Sequence, residues 1–237
     1  MISRFIIYPL FISLIAFGCS APTVFDLTPA ADAEYTYMQG REVVSQEDSV
    51  ALILLNFEYQ EGNTFTFYTE ITNNSNVTYT IDPAMFYAEI LESASCGFAK
   101  RISVVDPEIK IKSIDEDISS TEASKEAAIG MNIIFGLFNA VVDIASEAPP
   151  GKVIDDIAYW GNNAQDEALE HDIKTEDLRN LKKHWQNNVL RKTTLAPGEY
   201  FGGIFYLPIQ FEAKLIKLVL PIYNTVHEFI FEQKQYN

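Results

Sequence analysis

Two runs of alternating side chains between Phe65 and Ile81 constrain the fold of this chain more than any other feature. Apolar and polar residues alternate in FTFYTEIT, residues 65–72, and again in VTYTI, residues 77–81. A period of two puts successive side chains on opposite faces of a strand. Because Asn73–Asn76 has turn-forming residues between the runs, we predict a β-hairpin with one buried face. Proline in Asp82-Pro83 stops the pairing, which resumes in a third extended segment at Met85–Leu91.

Further strands are predicted on both sides of a long helical block. Apolar or alternating patterns predict strands at Ser49–Tyr59, residues 99–105, Tyr200–Tyr206, Ala213–Leu220 and Val226–Phe231. Asp106-Pro107-Glu108 is a helix start, with Asp106 as the N-cap and proline at the first helical position. Ile111, Ile114 and Ile118 then follow at helical spacing. We predict a break at 119–121, a second helix at 121–146, and a third that begins at Thr175 and places four apolar side chains on one face, Leu178, Leu181, Trp185 and Val189.

These patterns define an α+β chain in which a β-sandwich is interrupted by a helical insertion. We predict a signal peptide at 1–18, a tether at 19–47, the two halves of the sandwich at 48–105 and 192–237, and the helical insertion at 106–191. The tether prediction rests on Pro22, Pro29 and the weak periodicity between them and the first strand.

The first twenty residues have the pattern of a secretion signal. A basic residue, Arg4, precedes the apolar run FIIYPLFISLIAF, which is too short to span a bilayer that needs about 20 apolar residues. Ile15-Ala16-Phe17-Gly18-Cys19 resembles the lipobox of bacterial lipoproteins, and the resemblance implies a lipid on Cys19. Ser20, rather than Asp, then follows the lipidated residue, which is compatible with transport to the outer membrane. Ordinary signal cleavage after Ala16-Phe17-Gly18 is the alternative.

The sequence has no catalytic or metal-binding motif. The three histidines, His171, His184 and His227, lie far apart without ligands at metal spacing. We expect the first two on the solvated surface and His227 as a satisfied core or edge residue. The acidic runs 115–117 and 155–156 lack the Asp-x-Asp-x-Asp-Gly order of a calcium loop, and Cys96 has no neighbouring histidine to activate it. We therefore expect no enzyme activity, no cofactor and no metal.

The net charge of −16 argues against nucleic acid as a partner, because an acidic chain repels phosphate backbones. The most unusual apolar stretch is AAIGMNIIFGLFNAVVDIA, residues 127–145. Asp143 would cost about 2.5–3.5 kcal/mol near a bilayer centre, so we expect a buried helix in the insertion.

The β halves carry a resemblance to a known group. FTFYTEITNNSNVTYTIDP, TTLAPGEYFGGIFYLP and HEFIFE together resemble the immunoglobulin-like β-sandwich domains of bacterial envelope lipoproteins. The matching positions are an asparagine turn, a Leu-x-Pro-Gly-Glu turn and a Gly-Gly strand, namely Asn73–Asn76, Leu195, Pro197–Glu199, Gly202, Gly203, Phe205 and Tyr206. The resemblance covers about half of the mature chain and implies an immunoglobulin-like fold.

These observations together predict a lipid-anchored, non-enzymatic binding or scaffolding module of the bacterial cell envelope. Its expected partners are the membrane, through the lipid on Cys19, and an envelope protein. The outer membrane is favoured over the inner one. The alternative function is a carrier of an apolar ligand, or a protein that touches the membrane, in either case using the helix at 127–145.

Overall fold

The computed structural model describes residues 23–94, 101–125 and 150–236. Within these ranges the chain forms twelve β-strands, a single-turn 3₁₀ helix at Pro83–Met85, and helical segments at residues 107–125 (α1) and Pro150–Asn187 (α2). The α+β class is confirmed. Both α-helical segments lie inside the range predicted for the helical insertion, 106–191.

Two five-stranded sheets, in which every strand pair is antiparallel, make up the body of the protein. Sheet 1 has the order β1 (Val24–Pro29), β12 (Thr225–Tyr236), β11 (Ala213–Ile222), β7 (Tyr87–Ser93), β8 (Arg101–Ser103). Sheet 2 has the order β10 (Tyr200–Pro208), β5 (Thr64–Asn73), β4 (Ala51–Glu61), β3 (Arg41–Glu47), β2 (Tyr35–Met38). A small ribbon pairs β6 (Tyr79–Ile81) with β9 (Thr193–Leu195).

The core lies between the two sheets and is rich in phenylalanine. Phe67 of β5 stacks on Phe205 of β10, with ring centroids 5.3 Å apart and an interplanar angle of 8°. Its edge contacts Phe231 of β12 at 5.4 Å, so one ring joins sheet 2 to sheet 1. Phe65, Phe67 and Ile71 are fully buried, which confirms the face predicted from the alternation.

The predicted hairpin between residues 65–72 and 77–81 is wrong. Residues 65–72 lie in β5, which pairs with β4 and β10, whereas 79–81 form β6, whose partner is β9. The turn after Asn73 therefore carries the chain out of sheet 2 instead of folding it back. The hairpin that does form joins β4 to β5 through Gly62, whose φ of +54° suits glycine.

The predicted tether is also wrong over most of its length. From Val24 onward the segment forms β1, β2 and β3, which occupy one edge of each sheet. Phe25 and Leu27 of β1 are buried in the main core, and β3 pairs with β4 over five positions. Proline at position 29 is accommodated because it stands at the end of an edge strand.

Both helices continue through positions at which polar residues predicted a break or a start. Asp106 caps α1 as predicted, since its Oδ1 accepts hydrogen bonds from the backbone N–H groups of Glu108 (2.9 Å) and Ile109 (3.3 Å). The predicted break at 119–121 is absent, because the hydroxyls of Ser119 and Thr121 donate to carbonyls of their own helix. Thr175 does not begin a helix either; it is a buried residue inside α2.

Ion pairs join α1 to α2 in an antiparallel arrangement. The pairs are Glu108–Arg191, just beyond the end of α2, Asp115–Lys182, Glu122–Arg179 and Lys125–Asp172, so residue numbers rise along α1 as they fall along the returning chain.

At the end of this helical pair near the sheets, an apolar cluster contains Ile111, Ile114, Trp185, Val189 and Tyr206. The Trp185 and Tyr206 rings are 4.9 Å apart. Trp185 and Val189 are buried and Leu178 is half-buried, as their shared face predicted, but Leu181 is exposed. The predicted helix at 127–145 lies outside the described residues. None of the helices in the described part of the chain is long and apolar enough to cross a membrane.

Candidate functional site

A groove lined by described residues lies on the outer face of sheet 2 and has a volume of about 510 Å³. This volume falls in the range of small-ligand sites, roughly 300–1,000 Å³. Its lining combines aromatic, apolar and charged side chains, namely Met38, Gln39, Arg41, Val43, Leu54, Asn56, Glu58, Tyr68 and Glu70.

Strand register gathers these residues from distant parts of the sequence. One row across the sheet runs from Ile204 through Tyr68 and Asn56 to Val43, each opposite the next on the neighbouring strand. The adjacent row places Glu70 opposite Leu54. A break in register between Phe57 and Tyr59 adds one extra residue, Glu58, to this edge of the groove.

A short polar network fixes one wall of the groove. Arg41 forms an ion pair with Glu58 at 2.8 Å, and the Nδ2 of Asn56 donates to the other carboxylate oxygen of Glu58 at 2.7 Å. Asn56 is buried, so its amide is held in one orientation by this bond. The network positions a carboxylate and a guanidinium side by side at the opening.

The electrostatic balance of the groove is negative. Arg41 offsets Glu58, which leaves the Glu70 carboxylate as the excess charge among the lining residues. Burial raises the pKa of the Tyr68 phenol, and the nearby charges of Glu70 and Glu58 raise that pKa further. Tyr68 is therefore a neutral hydroxyl at physiological pH, able to donate or accept a hydrogen bond. The groove suits a ligand that presents hydrogen-bond donors or a positive charge.

The absence of a side chain at Gly202 makes room for the Tyr68 ring. A Cβ at position 202 would lie 2.6 Å from the Tyr68 hydroxyl oxygen. The ring therefore leans over β10, at the side of the groove. The Gly-Gly pair, which the sequence singled out as a strand motif, has a structural role here: the first glycine admits an aromatic ring.

Among the residues whose side chains the structure describes, the histidines and the acidic run 115–117 are not brought together in one site. His171 and His184 are both on α2, whereas His227 is on β12. Among the described residues, no group of three or more His, Cys, Asp or Glu side chains can hold a metal ion. Asp115, from the acidic run 115–117, is engaged in an ion pair with Lys182.

Two of the histidines belong to the packing. The Nε2 of His184 hydrogen-bonds the Tyr206 hydroxyl at 2.7 Å, so this side chain is part of the helix–sheet contact and not merely solvated. His227 is buried and bonded to the Thr225 hydroxyl at 3.1 Å, as expected for a satisfied core residue. Burial lowers its pKa, an effect that the charge of Asp48 partly opposes.

The predicted lipidation site, Cys19, and the other cysteine, Cys96, lie outside the described residues. Sequence reasoning did not find the groove. Its residues fall on four strands, β2 to β5, and in the β2–β3 turn. Residues 38–43 were placed in the predicted tether, and the others were treated only as parts of predicted strands. One signal in the sequence is Glu58, a charged residue near the end of the predicted apolar strand Ser49–Tyr59. In the structure it lies at the break in register.

Comparisons with known proteins leave the family of this chain open. It matches no protein-family model, and neither a curated protein nor a solved structure is significantly similar to it.

Proposed function

We propose that this protein is a lipid-anchored, non-enzymatic binding module of the bacterial cell envelope. Its membrane anchor is a lipid on Cys19, and the outer membrane is its destination. The observation that carries the proposal is the short distance along the chain between the lipobox and the folded body. Cys19 is five positions before Val24, where β1 begins. Five residues span at most about 17 Å, so a lipid there would hold the sandwich against the membrane surface.

The immunoglobulin-like description of the fold is part of this proposal. It is supported by two packed antiparallel sheets that share one core, and by a chain that changes sheets repeatedly. The path runs from β1 in sheet 1 to β2–β5 in sheet 2, returns for β7 and β8, and changes again at β10 and at β11. Such crossings are typical of Greek-key sandwiches.

Lipidation is tested by labelling cells that produce the protein with radioactive palmitate. The wild-type protein should take up label and sediment with the outer membrane in a density gradient. Cys19→Ala should take up none, and should be released or remain as an uncleaved precursor. A wild-type protein without label, whose mature N-terminus lies at a residue other than Cys19, would refute the anchor and leave a simply secreted protein.

The binding site that we propose is the groove on sheet 2. Its excess carboxylate at Glu70 and its neutral Tyr68 favour an envelope protein that inserts a basic side chain. Tyr68→p-benzoylphenylalanine places an aromatic photocrosslinker among the residues that line the groove. Val226, an exposed residue of β12 in sheet 1, is the matched control position.

Irradiation of living cells should give a discrete protein adduct from position 68 and none from position 226. Adding Glu70→Gln to the position-68 variant should reduce the adduct, because it removes the charge that attracts the partner. Equal adducts from both positions, or none from position 68, would refute the groove as the binding site.

A further inference from the structure

We infer that one end of the sandwich is a membrane-contacting face, formed by Val24, Phe211 and Tyr236, which lies against the lipid headgroup region. The inference rests on the proposed lipid anchor and specifies how the folded body is oriented on that anchor. The three side chains are 51%, 54% and 53% exposed. We call this surface the anchor-end face.

The three residues lie at one end of the sandwich although they come from distant parts of the described chain. Val24 is the register partner of Tyr236 at the open end of the β1–β12 pair. The Phe211 ring contacts the ring of Phe25, the next residue along β1, with centroids 5.6 Å apart. Isolated exposed apolar side chains are ordinary on a folded protein, but these three are concentrated at one end of the sandwich.

Hydrogen bonds hold the loop that presents Phe211. Residues 209–212 connect β10 to β11, and the backbone N–H of Ile209 donates to the Asn63 carbonyl at 2.9 Å. The side-chain amide of Gln233 donates to the Gln210 carbonyl at 2.9 Å. The loop is therefore hydrogen-bonded to both sheets, and it presents Phe211 as an exposed side chain.

The path of the chain puts the proposed anchor at the same end. The Oε1 of Gln60 accepts a hydrogen bond from the backbone N–H of Phe25 at 2.7 Å, next to the β4–β5 turn. This bond fixes the position at which the chain joins the sandwich. Cys19 is four positions before Thr23, a span of at most about 14 Å. A lipid on Cys19 thus brings this end of the protein, rather than the opposite end, to the membrane.

The chemistry of the face suits the headgroup region more than the hydrocarbon core. Tyrosine and other aromatic side chains favour this region because an apolar ring is combined with access to water. Carboxylates of Glu61, the last residue of β4, and Glu212, in the β10–β11 loop, lie at the same end. They disfavour an anionic lipid surface, so the contact is apolar and not electrostatic.

The test uses photocrosslinking to phospholipid in cells that produce the full chain. p-Benzoylphenylalanine replaces Phe211 in one variant, Tyr236 in a second and Tyr223 in a third. Tyr223 is an equally exposed aromatic residue, 59% exposed, in the β11–β12 turn at the opposite end of the sandwich. Radiolabelled phospholipid should attach at positions 211 and 236 and stay at background at position 223.

Palmitate labelling of the same strains separates the two proposals. Lipid on Cys19 with background crosslinking at 211 and 236, or with equal crosslinking at 223, would overturn the anchor-end face and leave the anchor standing. Absence of lipid together with background crosslinking at all three positions would overturn both. Crosslinking at 211 and 236 without lipid on Cys19 would support the face and overturn the proposed anchor.

Discussion

Asn73, at the end of β5, should be among the polar residues that contribute most to the stability of this fold. It is fully buried, and its Nδ2 donates hydrogen bonds to the carbonyl oxygens of Val77 (2.8 Å) and Leu195 (3.0 Å). Its Oδ1 accepts from the backbone N–H and the hydroxyl of Ser75, at 2.9 and 2.7 Å. One side chain thus fastens the turn after β5 to the β9–β10 connection.

The expected loss in the free energy of unfolding of Asn73→Ala is the sum of what each hydrogen-bond partner of the amide loses. The Leu195 carbonyl loses a buried bond, which costs about 1–3 kcal/mol. The Ser75 hydroxyl, released from the Asn73 Oδ1, can instead donate to the Val77 carbonyl 3.0 Å away, and Ser75 is near solvent, so these groups add about 0.5–1.5 kcal/mol together. We therefore expect a loss of about 2–4 kcal/mol. Asn73→Asp should cost at least as much at neutral pH, because it sets a carboxylate against two carbonyl oxygens.

Urea unfolding followed by circular dichroism measures this loss as a shift of the midpoint at constant slope. The matched control is Asn74→Ala, one position along, where the side chain is exposed and makes only 3.3 Å hydrogen bonds. Its loss should stay within about 0.5 kcal/mol. If the two alanine variants had the same midpoint, the buried amide would not be fastening the two turns together.

Three further predictions concern close packing and titration. Gly203→Ala would place a Cβ 2.9 Å from the Leu190 backbone nitrogen, so urea unfolding should show a loss of about 1–3 kcal/mol, and an unchanged midpoint would contradict the close approach. Thr66→Val removes a buried hydroxyl that has no hydrogen-bond partner among the described residues, so the melting temperature should hold or rise; a clear fall would show that the hydroxyl is bonded. Burial lowers the pKa of His227, so the unfolded chain binds its proton more readily, and stability should fall as pH drops below about 6.5. His227→Gln should flatten the stability profile between pH 6.5 and 5, and an unchanged slope would contradict the buried neutral state.

The sequence predicted strands and caps well because these depend on nearby residues. Alternation in residues 65–72 identified the buried face of β5, and the Asp106 cap was legible because a carboxylate precedes proline at a helix start. The Pro197-Gly198 turn was equally local, with Gly198 at a φ of +79°. Strand faces, helix caps and turns depend on residues that are close together in the chain, so a single sequence is enough to predict them.

The sequence did not predict which strands pair with each other. Asn73 looks like a hairpin turn residue, yet its side chain bonds to Leu195, which is 122 positions away. The amide that seemed to serve a local turn therefore serves a long-range junction, and the chain leaves the sheet. The same limit hid β2, whose four residues are all exposed and give no alternation to read. It also hid the groove, which exists only when β3, β4 and β5 lie side by side.

The helical insertion is compatible with the sandwich because its two ends are hydrogen-bonded to β10 at neighbouring positions. The backbone N–H of Val105, just before α1, donates to the Tyr206 carbonyl at 2.9 Å. The N–H of Leu190, just after α2, donates to the Ile204 carbonyl at 2.7 Å. Both ends of the insertion are therefore tied to one strand only two residues apart. The ladder of sheet 2 is made by its five strands alone, so none of its described pairings depends on a residue of α1 or α2.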